Sequence, residues 1–147
     1  MEKKHDSEPA DFLPYLLAMA AEKTSQEFQR YYKDRYGMLR TEWRVLFHLG
    51  CYGDMRAKDI CERASIHKTK VSRAVNALER KRLLRRTQLE HDRRQEKLHL
   101  TPSGSLAFRD LHETAQEFDN GMAQRFSPEE VTLLRRCLRN IIDERPG

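Results

Sequence analysis

The sequence predicts a mainly α-helical fold with one small β-hairpin, on three observations. Apolar residues recur at three- and four-residue steps along most of the 147-residue chain, with only five Pro and six Gly to interrupt them. The helical pattern gives way between Leu83 and Leu100, where two short apolar runs flank a polar segment. Positive charge is gathered between Arg56 and Leu100: 14 Lys and Arg stand there against 6 Asp and Glu, in a chain whose formal net charge is only +5. A local basic stretch of that kind is the electrostatic footprint of a polyanion-binding surface.

Composition narrows the classes. The length fits one folding unit, so residues 1–147 are expected to form a single domain. No apolar run approaches the roughly 18 residues of a membrane span, and the first residues lack the apolar core of a secretory signal, so a cytoplasmic protein without membrane contact is expected. Cys51, Cys61 and Cys137 contain no C-x-x-C pair and sit among apolar neighbours, which points to buried structural thiols. There is no Gly-rich phosphate loop, no metal-ligand cluster and no nucleophile motif, so neither an enzyme nor a cofactor is expected.

Taken in order, Met1 to Pro9 is polar and reads as a frayed end. Leu13, Leu16, Leu17, Ala20, Phe28 and Tyr31 mark a first helix from about Ala10 to Tyr36, with Pro14 in its first turn and Gly37 at its end. Thr41 is the candidate N-cap of a second helix carrying Trp43, Leu46, Phe47 and Leu49, whose apolar character makes Trp43 a packing residue. Cys51 to Asp54 reads as a turn. Ala57, Ile60, Cys61 and Ala64 share one face of a short third helix, and Val71, Ala74, Val75 and Leu78 one face of a fourth. Two short helices separated by Ser65-Ile66-His67 make a helix-turn-helix candidate.

The opposite face of the fourth helix carries the chemistry. Thr69, Arg73, Asn76 and Arg80 stand at i, i+4, i+7 and i+11, and Lys68, Lys70 and Ser72 crowd the N-terminal end. Hydroxyl, amide and guanidinium groups together satisfy both phosphates and the edges of bases in a major groove. A solvated helix face would share the pattern, so its setting matters. Leu83 to Thr87 and Lys97 to Leu100 read as two strands around a polar loop, Gln88 to Glu96, that contains Asp92, Arg93 and Arg94. A hairpin beside a helix-turn-helix is a wing, and an Arg at its tip can enter a narrow minor groove, with Asp92 paired to Arg94 to hold the loop. Arg80, Lys81, Arg82, Arg85 and Arg86 supply backbone attraction or plain solvation.

Thr101 and Pro102 open a long helix with Phe108, Leu111, Ala115, Phe118 and Met122, for which a kink or early stop is expected at Asn120-Gly121. Ser127-Pro128-Glu129-Glu130 is a capping box that opens a last helix bearing Val131, Leu134, Cys137, Leu138, Ile141 and Ile142. One small core cannot cover this face and that of the first helix as well. They are expected to cover one another across a two-fold axis, as helices of an obligate dimer.

Residues Ile66-His67-Lys68-Thr69-Lys70-Val71-Ser72-Arg73-Ala74-Val75, Leu78-Glu79-Arg80-Lys81-Arg82-Leu83-Leu84, Asp92-Arg93-Arg94 and Leu100-Thr101-Pro102-Ser103-Gly104 stand in an order that resembles the MarR family of bacterial transcription regulators. The resemblance covers about 10–144. It implies a winged helix-turn-helix at 41–100, dimerisation helices at 10–36 and 102–144, and a homodimer on a pseudo-palindromic double-stranded DNA operator, usually a repressor released by a small ligand or by oxidation. Carried over by position, Lys68, Thr69, Lys70, Ser72, Arg73, Asn76 and Arg80 would read the major groove, and Arg94 with Arg93, supported by Asp92, the minor groove. Trp43, Arg44, Phe47 and His48 would border a pocket for an effector of the aromatic-acid type.

Three positions depart from the family pattern: Arg82 stands where Gly is usual, Leu89 where an acidic residue often begins the wing, and His67 where Asp or Ser is common. The peroxide-sensing branch carries its reactive Cys in the first helix, and residues 10–36 hold none. The competing reading is a winged-helix protein-interaction module, antirepressor-like and without DNA binding. It calls for acidic or apolar residues in place of the groove-facing stripe, and the stripe is basic and polar.

Overall fold

A computed structural model describes residues 9–143; the expected frayed end, Met1 to Pro9, lies almost wholly outside them. Six α-helices and a small antiparallel sheet make up the described chain. After a 3-10 turn at Pro9–Asp11, helix α1 spans Leu13–Tyr36. It opens beside Pro14, whose missing N–H costs nothing in a first turn, three residues later than periodicity alone predicts. Gly37 closes it in the left-handed region at φ 63, with Gly37 N–H donating to Lys33 O (2.8 Å) and Met38 N–H to Tyr32 O (3.2 Å).

Helix α2 spans Arg40–Tyr52. Thr41 is not its cap. Leu39 holds that place with an extended backbone, and Glu42 Oε2 accepts the Leu39 N–H at 3.0 Å. The helix runs through Cys51 and Tyr52, which confines the expected turn to Gly53 and Asp54. A two-residue strand that periodicity did not predict, β1 (Met55–Arg56), precedes α3 (Ala57–Ala64) and α4 (Lys68–Arg80).

The wing is longer than its apolar runs. Strand β2 spans Leu84–Leu89 and β3 Asp92–Leu100, in the sheet order β1-β3-β2. Pairing runs from Leu84 opposite Leu100 to Gln88 opposite Glu96, then slips so that Leu89 faces Asp92. Backbone pairing therefore continues through residues read as a loop, leaving only Glu90 and His91 to turn. Side-chain polarity hid this because an exposed hairpin tip has no core to face.

By contact density the chain separates into two compact units, residues 1–111 and 112–147. The first holds the core: Met38, Val45, Leu46, Ile60, Val71, Leu78 and Leu111 are fully enclosed, and Leu84 and Leu98 of the wing nearly so. Trp43 lies on Tyr32 in a stacked arrangement, ring centroids 6.0 Å apart, with Phe28 at 5.4 Å. Helix α5 (Pro102–Ala123) opens on Thr101, whose Oγ1 accepts the Gly104 N–H at 3.0 Å and donates to Arg82 O at 2.7 Å. Gly104 is required there, because a Cβ would stand 1.9 Å from Leu83 O.

In the second unit α5 passes through Asn120 and Gly121 unbroken and ends at Ala123, so the expected interruption is absent; one Gly costs only about 1 kcal/mol in a helix. Ser127 and Glu130 form the predicted reciprocal cap, Glu130 N–H to Ser127 Oγ at 3.1 Å and Ser127 N–H to Glu130 Oε1 at 2.9 Å. They open α6 (Pro128–Asp143), which buries no residue. Cys51 and Cys137 are exposed and Cys61 half-buried, which corrects the expectation of three buried thiols: the apolar neighbours of the first two in sequence do not enclose them. Among the described residues no helix is long and apolar enough to cross a membrane.

Candidate nucleic-acid interface

The basic stretch folds into α3, α4 and the wing. Arg56 starts it. Its backbone N–H donates to Asp59 Oδ2 (3.1 Å), closing the open end of α3, and its guanidinium holds the Asp59 carboxyl below the usual carboxylate range. The same guanidinium donates from Nη1 to Gln95 Oε1 at 2.8 Å and so fastens the start of α3 to the wing. At the next turn Ser65 takes a left-handed backbone, φ 53, and His67 caps α4 by accepting the Thr69 N–H on Nδ1 at 3.2 Å. An imidazole nitrogen thus does what an Asp or Ser oxygen usually does at an N-cap.

Val71, Ala74, Val75 and Leu78 anchor α4 in the core. That leaves Lys68, Thr69, Lys70, Ser72, Arg73, Asn76 and Arg80 exposed on its other side. Lys68, Thr69, Ser72 and Arg73 line a groove of about 730 Å³ whose far wall carries Arg94 of the wing. Lys70, Asn76, Arg80 and Asp92 lie outside that groove. The Arg93 side chain is not among the described residues.

Arg56 and Lys58 also line the groove, and the sequence reading missed both. Their membership in the basic stretch was the available signal; the place of α3 as a groove wall was not.

Asp92 holds the wing tip as expected, but through the backbone: its Oδ1 accepts the Arg94 N–H at 3.0 Å. Farther down, His99 Nδ1 donates to Asp54 Oδ2 at 2.8 Å, and its Nε2 lies 2.5 Å from Thr87 Oγ1, pinning the sheet to the turn after α2. Two cations expected to supply backbone attraction or plain solvation have partners inside the protein. Lys81 Nζ stands 2.6 Å from Glu42 Oε1 and 2.8 Å from Gly37 O. Arg86 Nη1 donates to Glu96 Oε2 at 3.0 Å, its Nη2 donates to Asn76 Oδ1, and its Nε lies 3.3 Å from Glu79 Oε2, an ion pair without hydrogen-bond geometry. Arg82 does take a left-handed backbone, at φ 61.

Trp43, Arg44, Phe47 and His48 follow one another on α2. Trp43 packs on Phe47 (5.2 Å between centroids), and Phe47 lies 6.5 Å from Phe108. Arg44 Nη2 donates to Ala64 O at 2.8 Å, and His48 Nδ1 donates to Arg44 O at 2.8 Å, which the carbonyl can only accept. Arg44 thereby ties α2 to the end of α3.

A helix-turn-helix whose second helix turns a basic face outward, flanked by a three-stranded wing, defines a winged-helix protein. Residues 36–95, which span that element almost entirely, match the model of the MarR family. Solved structures of that kind share the fold along nearly the whole chain. BpsR of Bordetella bronchiseptica, described for the regulation of its DNA binding by 6-hydroxynicotinic acid, is 21% identical with a TM-score of 0.84, over 95% of this chain and 99% of that one. MepR of S. aureus, in complex with DNA, is 20% identical at a TM-score of 0.79, over 89% and 96%. A mutant MarR from E. coli, complexed with operator DNA, is 17% identical at 0.80, over 92% and 99%. No curated protein matches the chain.

Proposed function

We propose that this protein is a sequence-specific DNA-binding transcription regulator that acts as a homodimer on a pseudo-palindromic operator, as a ligand-responsive repressor. One observation carries the reading: the exposed Lys68, Thr69, Ser72 and Arg73 of α4 and Arg94 of the wing face a single groove, in a winged helix of the MarR type. Arg73 and its neighbours enter the major groove, where a guanidinium pairs with guanine O6 and N7. Arg94 reaches the flanking minor groove, and Lys68 and Lys70 at the N-terminus of α4 take phosphates.

Exposed apolar residues support the dimer. Phe12, Leu13, Tyr15, Leu16 and Met19 stand on and just before α1, and Leu133, Leu134, Ile141 and Ile142 on α6. Apolar side chains left exposed in this number on helix surfaces are what a two-fold interface covers. The regulation of BpsR by an aromatic acid supports the same effector class here, with the Trp43, Phe47 and His48 cluster and Arg44 as its border.

Selection of bound sequences from random DNA tests the proposal. Two inverted half-sites about 10 bp apart are expected, one turn of duplex per recognition helix. An unenriched pool would overturn it, and elution at the monomer mass in light scattering would overturn the dimer.

A further inference from the structure

Between the pairs Gln88–Glu96 and Leu89–Asp92 the two long strands of the wing fall out of step. Arg93, Arg94 and Gln95 have no counterpart on β2, so they form a bulge on β3, just after the turn at Glu90 and His91. A bulge re-aims the side chains it carries, and Arg94 lines the same groove as α4. Because a bulge interrupts the ladder, its shape depends on other contacts. Two of them bracket Arg94. On one side Asp92 Oδ1 accepts the Arg94 N–H at 3.0 Å. On the other, Gln95 Oε1 accepts from Arg56 Nη1 at 2.8 Å; a guanidinium only donates, so the amide oxygen is the atom that faces it. Arg56 is fixed in turn. It pairs with Lys97 of β3, and its Nε and Nη2 donate to the two oxygens of Asp59 at 3.3 and 3.2 Å.

We infer that Arg56 is a positioning residue for DNA binding: locked to Asp59, it holds Gln95 and so keeps the bulge placed with Arg94 on the groove. The inference rests on the proposal that α4 and the wing bind DNA. Arg56 lines the groove too, and by charge alone it would pass for a phosphate contact. Its three side-chain nitrogens already donate within the protein, and Asp59 balances its charge. Two N–H groups remain, so the experiment must separate a phosphate contact through them from positioning. The salt dependence does this. Each phosphate contact steepens the fall of log affinity with log salt by about 0.9. Replacing neutral Gln95 with neutral Met removes no cation, so it can flatten that fall only by turning away a cation that stays in the chain.

The test measures affinity for an operator selected from random DNA, across a salt series, with the full-length protein. The variants are Gln95→Met, Arg94→Ala, the two together, and Arg56→Met with Asp59→Asn, alone and on Gln95→Met. That last swap leaves the net charge unchanged and keeps an acceptor for the backbone N–H at position 56. Gln95→Met should weaken binding about fivefold, the worth of roughly one hydrogen bond, and bring the slope toward that of Arg94→Ala. It should cost nothing further in the Arg94→Ala background. The swap should match Gln95→Met and add nothing to it. A lower melting temperature with the wild-type slope would show a merely structural contact and overturn the inference, as would a full further loss from Gln95→Met in the Arg94→Ala background. Gln95 is exposed, so these arms stand even if the swap does not fold. A further loss from the swap on top of Gln95→Met would make Arg56 a phosphate contact and also overturn it. Those results leave DNA binding intact, whereas a random pool without enrichment, or wild-type binding by Arg94→Ala, overturns the wing reading beneath it as well.

Discussion

Replacing Lys81 with Met should destabilise the protein more than any other single change of a surface-facing cation. Lys81 caps the end of α4, and its Nζ stands 2.6 Å from Glu42 Oε1 and 2.8 Å from Gly37 O. The Glu42 side chain is 5% exposed, and its other oxygen takes the Leu39 N–H at 3.0 Å. Methionine keeps the length and apolar stem of lysine and removes the charge, so Glu42 is left enclosed with one hydrogen bond and no counter-charge.

Stranding one member of a fully buried pair costs about 3–5 kcal/mol. Lys81 is 32% exposed, so water reaches that side, and a cost of about 2–3 kcal/mol is the appropriate figure. In urea, with a slope of roughly 1.5 kcal/mol per M for a chain of this size, the unfolding midpoint should fall by about 1.3–2 M. Adding Glu42→Gln removes the stranded charge while keeping an acceptor for Leu39, and should recover at least half of the loss. A Lys81→Met midpoint within about 0.3 M of wild type, or a double variant no more stable than the single one, would refute the reasoning.

Arg82→Gly should raise stability by about 0.5–1 kcal/mol, because relief of a left-handed φ of 61 outweighs the added freedom of the unfolded chain; a lower melting temperature would contradict this. Tyr36 gives a pH dependence. Burial and its 2.6 Å bond to Asp110 Oδ2 push its phenol from 10.0 up to about 12. The folded state keeps that proton where the unfolded state loses it, so the contribution is whole below pH 10 and disappears as pH rises toward 12. Tyr36→Phe should flatten that alkaline limb in unfolding curves taken from pH 9 to 12, and an unchanged limb would place its cause elsewhere. On DNA, Arg73→Ala should cost about 1–3 kcal/mol of discrimination between selected and random sequence. Arg94→Ala should weaken both alike; binding indifferent to Arg94 would remove the wing from the mechanism.

The helices and the exposed basic side of α4 were legible because their signals are periodic and local. Val71, Ala74, Val75 and Leu78 declare a buried side of α4, and the opposite side follows by geometry. The Ser127 cap and the Thr101 cap are short-range chemistry between residues three apart, and both were read correctly. What escaped depends on partners distant in sequence. Strand β1 is two residues long and exists only because Met55 and Arg56 pair with Leu98 and Lys97. Lys81 and Arg86 read as cations for backbone attraction or plain solvation, and only the fold brings Glu42 and Glu96 to them. The contact of Asn76 is of the same kind: spacing places it on the outer stripe, but only the position of β2 brings Arg86 to its side-chain amide.

The central claim is that α4 and the wing distinguish one DNA sequence from another, and the ratio of affinities for a selected operator and a scrambled duplex of the same length tests it most directly. Measured by fluorescence anisotropy at increasing salt, the ratio should be at least about a thousandfold near physiological ionic strength. Both affinities should fall with a log–log slope of roughly −0.9 per phosphate contact. Equal affinities for the two duplexes, or binding that ignores salt, would contradict the account.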